Sequence, residues 1–229
     1  MKPSHCYLLF AIAFVIIEAL LMLYVDKPLS LYMRTVDVDH HKFVDFWRGY
    51  TDLGLSKWYQ WPLALGASIC ALFVRLPSTK NKKAVAQMGE RFLFVFCSIS
   101  FAGLLTDAIK YCVGRARPVL LDREQFYGFH PFSHGNNWHS WPSGHSTTAF
   151  SLAVSLIILF PRLRIPALLF ALSIPVSRVI VNAHYLSDTL AGALVGTLMV
   201  YATAWAFNHN GINHLRHCIF PIDSSKRRA

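Results

Sequence analysis

Tyr7-Leu-Leu-Phe-Ala-Ile-Ala-Phe-Val-Ile-Ile-Glu-Ala-Leu-Leu-Met-Leu-Tyr-Val25 is an apolar run whose only charged side chain is Glu18. At about 1.5 Å per helical residue it is long enough to cross roughly 30 Å of hydrocarbon. It follows Lys2, and no small-x-small cleavage site precedes Asp26, so it reads as an uncleaved anchor. Five further apolar blocks follow: Trp58–Leu76, Phe92–Ile109, Ser146–Phe160, Pro166–Val181 and Thr189–Phe207. Trp58, Tyr59 and Trp61 open the second as interfacial aromatics, and Pro175 interrupts the fifth. Gly192 and Gly196 give the sixth a GxxxG spacing suited to close helix packing. The expected fold is all-α: an integral membrane bundle of six transmembrane helices forming a single domain over residues 1–229, with an aromatic-rich outer loop between the third and fourth spans.

Composition agrees. Charged residues make up 15% of the 229 positions, against about 25% in an average soluble domain. That excludes a disordered chain, a coiled coil and a basic nucleic-acid-binding tail. Twenty-two Lys and Arg against twelve Asp and Glu leave a net charge of +10, which around apolar blocks suits a membrane protein that handles anionic lipid or phosphate. Cys6, Cys70, Cys97, Cys112 and Cys218 are odd in number and form no CxxC pair, so they read as packing residues rather than a disulfide framework or zinc knuckle. Basic residues favour both chain ends on the inner side. Lys2, Arg75, Lys80, Lys82, Lys83, Arg91, Arg162, Arg164, Arg216, Lys226, Arg227 and Arg228 then lie inside, against ten cations outside. The outer segments become Asp26–Lys57 and Lys110–His145.

Three stretches at outer span ends hold the unusual polar residues. In Lys110-Tyr-Cys-Val-Gly-Arg-Ala-Arg117-Pro118 the spacing of seven puts both cations near one helical face, with Pro118 expected to end the helix. In Pro142-Ser143-Gly144-His145 a tight turn precedes a span, with Ser143 as candidate N-cap and free backbone N–H groups suited to an anion. In Ser177-Arg178-Val-Ile-Val-Asn-Ala-His184-Tyr-Leu-Ser-Asp188, the spacing of four makes His184 and Asp188 neighbours if the helix continues. Each stretch alone also has a structural reading: snorkelling cations, a capped turn, or a buried Arg178–Asp188 ion pair. Together they supply three cations for a phosphate dianion, a His–Asp pair and a second histidine, the requirements of phosphoryl transfer.

These stretches resemble the three-part signature of the type 2 phosphatidic acid phosphatase superfamily, which is related to the vanadium haloperoxidases: K-x6-R-P, P-S-G-H and S-R-x5-H-x3-D, with every position filled. The resemblance implies a lipid phosphatase needing neither metal nor cofactor. His184 would attack phosphorus and form a phosphohistidine, with its tautomer held by Asp188. His145 would protonate the leaving oxygen and then activate water. Lys110, Arg117, Arg178, Ser143 and the Gly144 backbone would bind the phosphate oxygens. The residues by themselves leave open which histidine is the nucleophile. The resemblance further implies a phosphorylated lipid substrate (lipid A, undecaprenyl diphosphate, phosphatidylglycerophosphate or phosphatidate). It also implies a bacterial inner-membrane location with the site facing the periplasm or outside, and no nucleic-acid or obligate protein partner. Lipid-to-lipid phosphotransfer is the alternative within the same chemistry, and a transporter with a polar outer cluster is the alternative outside it.

Between the first two motifs, Phe126, Tyr127, Phe129, Phe132, Trp138 and Trp141 suit the headgroup zone. Phe129, Trp138 and Trp141 are candidates for framing lateral lipid access, a packed lid being the other reading. His130, His134 and His139 are too loosely spaced, and lack a completing carboxylate or Cys, for a metal site. Asp107 is a candidate partner of Lys110, and Glu18 a candidate interhelical hydrogen-bonding residue.

Overall fold

The computed structural model describes residues 3–209, and side chains from His5 onward. Lys2, Arg216, Cys218, Lys226, Arg227 and Arg228 lie outside the described residues. Among those described, Cys6, Cys70, Cys97 and Cys112 are free thiols. Among the described residues the regular structure is helical, with no β-strand. It runs α1 (Pro3–Leu20), α2 (Asp26–Asp39), α3 (His41–Thr51), α4 (Lys57–Arg75), α5 (Lys82–Val113), α6 (Pro118–Glu124), α7 (Gly144–Leu159), α8 (Arg164–Ile180) and α9 (Leu186–His209). Four stretches are long and apolar enough to cross a membrane: His5–Asp39, Lys82–Val113, Pro161–Ile180 and Leu186–His209. The polar and aromatic first turns of α4 and the 16 residues of α7 leave those two helices below that mark. The protein is an integral membrane protein. Pro175 does not interrupt the fifth block, since α8 continues through it to Ile180.

The first helix departs most from expectation. It does not stop at Val25. A π turn, Leu21–Val25, joins α1 to α2 without a break, so the segment after Asp26 is helical rather than a loop. Asp26 is not a water-facing stop, because its carboxylate is buried at 1% exposure with partners inside the bundle. Ser30, one turn on, is buried too and donates to the Asn182 side chain at 2.8 Å. Of the described α1 side chains only Glu18 is buried; the rest are left for lipid.

Around α5, α7 and α9 the core is built from Phe94, Val95, Ile99, Ile158, Leu159, Val200 and Ala204, with Ala153, Ala167 and Ala171 where α8 meets α7. Small residues allow the close approach that helices in lipid need. A Cβ on Gly192 would lie 2.4 Å from the Ser143 carbonyl oxygen, and one on Gly196 would lie 2.5 Å from that of Thr147. The GxxxG face of α9 therefore carries the start of α7. Gly192→Ala is expected to cost about 1–3 kcal/mol through overpacking and to displace the Ser143 turn; thermal unfolding in detergent measures the first, phosphate release the second.

Candidate active site

The Lys110 stretch folds differently from a continuous helix. Gly114 ends α5 in the left-handed conformation, φ +59°, three residues before Arg117. A Cβ there would sit 1.8 Å from the His130 carbonyl oxygen, so only glycine fits. Residues 115–117 are extended and held by the following loop, through Ala116 N–H to Gly128 O (3.0 Å) and Arg117 N–H to Asn137 O (2.8 Å). Pro118 starts α6 rather than ending α5, because its missing N–H and fixed φ suit a first helical turn. Lys110 stays in the last turn of α5 and Arg117 caps α6, so the two cations come from different elements.

Ser143 occupies the N-cap position of α7, but its hydroxyl makes no cap bond. It is fully buried and without a protein partner. The turn is fixed instead by Ser143 N–H donating to Asp188 O at 2.8 Å. A Cβ on Gly144 would be 3.5 Å from Lys110 Nζ, which places the ammonium against this turn. His145 packs on Gly54, where a Cβ would come within 2.9 Å of its ring.

His184 lies in the turn after α8, before α9 begins at Leu186, so it and Asp188 do not share one helix. They meet nonetheless, Nδ1 to Oδ2 at 3.4 Å, both fully buried or nearly so. Asp188 Oδ2 also accepts from Tyr185 N–H at 2.9 Å and from the Ser140 hydroxyl. Burial holds the His184 imidazole well below its usual pKa, and the fields of Arg117, Arg178, Lys110 and His145 push the same way. The ring is therefore neutral and can act as a nucleophile.

Arg115 and Asp26 were not foreseen. Arg115 lies inside the x6 gap of the first motif, and Asp26 looked like the end of a span. Arg115 is 2% exposed and donates to Asp188 Oδ1 and the Ser187 hydroxyl, both at 2.6 Å, and to Asp26 Oδ2 at 2.8 Å. Asp26 also accepts from Ser187 N–H at 3.1 Å. Burial alone would lower the Arg115 pKa, but Asp188 and Asp26 raise it above the ordinary arginine range. The Tyr127 hydroxyl accepts from Arg115 and donates to Met22 O, in the π turn, at 2.6 Å. Arg115 was hidden by its place between motif positions.

The alternative structural reading, a buried Arg178–Asp188 pair, does not form, because Arg115 takes the carboxylate. Arg178 Nη1 donates to Thr51 Oγ1 at 3.3 Å, and its Nε has no partner. Arg117 makes one weak bond to His139 O at 3.4 Å, and its Nε is likewise orphaned. Among the described residues, none of Lys110, Arg117 and Arg178 is in a salt bridge. Two carboxylates around one guanidinium thus stand behind His184, and three cations without carboxylates stand around it.

Of the aromatic candidates only Trp138 is engaged within its own loop. Trp138 packs edge-on against Phe126 and tilted against His130. Trp141 Nε1 donates to Glu18 Oε2 at 3.2 Å, so Glu18 bonds to a loop rather than to another helix. Phe129 lies 5.8 Å from the Arg115 guanidinium. His134 packs on Tyr111, and His139 Nε2 meets Ser133 O at 3.0 Å. Among the described residues no group of three or more His, Cys, Asp or Glu is arranged to hold a metal. Asp107 is not within ion-pair distance of Lys110.

An all-helical membrane fold with three carboxylate-free cations around a buried histidine–aspartate pair defines the class. Residues 91–212 match the PAP2 superfamily, and the chain belongs to it. Over 137 residues, 60% of the chain, it is 34% identical to a lipid A 1-phosphatase of Rhizobium johnstonii and 36% identical to one of Rhizobium etli. The chain spans 56% and 59% of the lengths of those relatives. Its fold is similar to the crystal structure of Aquifex aeolicus LpxE (TM-score 0.52, 18% identity, covering 78% of this chain and 94% of that one). It is also similar to a PAP2-type phosphatidylglycerolphosphate phosphatase of Bacillus subtilis (TM-score 0.52, 16% identity, 87% and 96%).

Proposed function

We propose that the protein is a membrane lipid phosphatase that removes a terminal phosphate from a lipid phosphomonoester or diphosphate through a phosphohistidine. The observation that carries this reading is a set of buried donors with no protein acceptor, Ser143 Oγ, Arg117 Nε and Arg178 Nε, beside a neutral imidazole backed by carboxylate. Such donors are costly unless an anion meets them. At an effective dielectric of about 20, one cation about 4 Å from a unit negative charge contributes on the order of 4 kcal/mol, so Lys110, Arg117 and Arg178 suit a phosphate dianion.

In the proposed cycle Asp188 accepts a hydrogen bond from the Nδ1–H of His184, holding the tautomer whose Nε2 lone pair attacks phosphorus. The bond from phosphorus to the lipid oxygen breaks as His145 gives that oxygen a proton. Water then attacks the phosphohistidine, His145 takes its proton, and phosphate departs with Nε2 restored. The three cations and Ser143, with the Gly144 backbone, hold the oxygens whose charge shifts between the two steps.

The same reading makes the whole chain one phosphatase domain in a six-helix bundle, with α4 and α7 as the two shorter spans. The N-terminus is inside, and the site faces the periplasm of a bacterial inner membrane. The lipid A 1-phosphatase relatives favour a phosphorylated lipid A-type substrate over undecaprenyl diphosphate, phosphatidylglycerophosphate or phosphatidate. Trp138, Trp141 and Phe129 shape access from the outer leaflet, and the site works without a metal. Purified protein is expected to release free phosphate from at least one of these lipids, with no loss on adding a chelator and with inhibition by vanadate. Label moving to an acceptor lipid instead would make it a phosphotransferase, and no release from any lipid would sink the reading. In the same assay Trp138→Ala should lower turnover of lipid relative to 4-nitrophenyl phosphate; an unchanged ratio removes the access role.

A further inference from the structure

Beside His145 lies a cleft of about 190 Å³ lined by Gly54, Leu55, Ser56, Gly103, Thr106 and Asp107, and closed by the first turns of α7. Gly103, Thr106, Asp107 and Lys110 are spaced three, four and seven apart, so they share one face of α5. The cleft runs along α5 from Asp107 to Gly103, and its Gly144 wall lies against the Lys110 ammonium. Four residues at about 1.5 Å each carry it about 6 Å toward the middle of the helix, the direction in which the chains of a bound lipid must point. A Cβ on Gly103 would meet nothing within 4 Å, so the cleft is open there. Leu104, the next residue of α5 after Gly103, is apolar and 67% exposed. The floor differs, offering the Ser56 hydroxyl and the exposed Asp107 carboxylate.

We infer that this cleft is the leaving-group seat. It holds a headgroup bearing hydroxyl or amide groups next to the phosphate, a sugar or a glycerol, while the acyl chains pass Gly103 into the bilayer. The inference rests on the phosphatase reading, because it takes His145 as the acid that must reach the leaving oxygen. Asp107 and Ser56 are the hydrogen-bonding residues of the seat, and Gly103 is the space that admits the substituents. The wall opposite α5 comes from the turn at Asp52–Gly54, where Gly54 packs on the His145 ring and Thr51 bonds to Arg178. The short stretch Thr51–Gly54 thus touches His145 on the leaving-group side and Arg178 on the phosphate side.

The test compares kcat/KM on a glycosyl-phosphate lipid, phosphatidylglycerophosphate, an isoprenyl diphosphate and 4-nitrophenyl phosphate. Gly103→Leu, which enters open space on a helix, should lower the ratio of lipid to nitrophenyl turnover about tenfold, mainly through KM. Asp107→Asn changes an exposed residue and should lower the ratio of hydroxyl-bearing lipid to isoprenyl diphosphate about fivefold or more. Whether the sugar or the glycerol lipid loses more identifies the headgroup. Ratios unchanged within about twofold for both variants would overturn the inference while leaving the phosphatase reading intact. Wild-type protein inactive on all four substrates would remove both, and that result appears before any substitution is made.

Discussion

His184→Ala is expected to lower phosphate release by on the order of 10⁴-fold or more, to the background left by phosphate binding alone. No second nucleophile stands in its place. His145 packs against Gly54, and Asp188 is committed to three donors besides the imidazole: Arg115, Ser140 and the Tyr185 N–H. The loss should fall on kcat, because the groups that bind phosphate are untouched. A quench after mixing with labelled substrate should trap acid-labile, base-stable label on wild-type protein and none on the variant. A variant retaining a tenth of wild-type kcat would rule out the covalent route.

Arg115→Met is expected to destabilise the fold by about 3–5 kcal/mol, the usual cost of stranding buried charge. It leaves Asp26 and Asp188 facing each other without the guanidinium that bridges them at 2.8 and 2.6 Å. Arg115→Lys should recover only part of the loss, since an ammonium has no planar fork to reach both carboxylates with Ser187 and Tyr127. Arg115→Met combined with Asp26→Leu removes the stranded carboxylate and should recover stability, measured as the thermal midpoint in detergent, but not activity, because Asp188 still lacks its Oδ1 partner. If the double variant recovered both, Arg115 would be structural only.

The sequence made the helical class legible because apolar blocks of membrane length have few soluble explanations. Lys110, Arg117, Arg178 and the His184–Asp188 pair were named from their motifs, although the helical spacings offered for them do not hold: Gly114 separates Lys110 from Arg117, and His184 precedes α9. What it could not reveal was partnership across distance. Asp26 reads as the polar end of a span, and only folding shows it sharing Arg115 with Asp188, 162 positions later. The helix after Val25 was missed for a related reason: charged residues that look like a loop become a second helical stretch once a π turn brings Asp26 and Ser30 inward. Pro118 was misread because proline both stops and starts helices, and Gly114 four residues earlier had already done the stopping. The turn at Thr51–Ser56 carried no motif. Its contribution lies in what Gly54 lacks, which spacing does not announce.

Asp26, Thr51 and Gly54 all precede residue 91, where the family match begins. The segment that inherits the signature and the segment able to hold it in shape are therefore different lengths of chain. A fragment cut at the boundary of the match would keep every motif letter, yet it would lack the counterweight to Arg115 and the wall against His145.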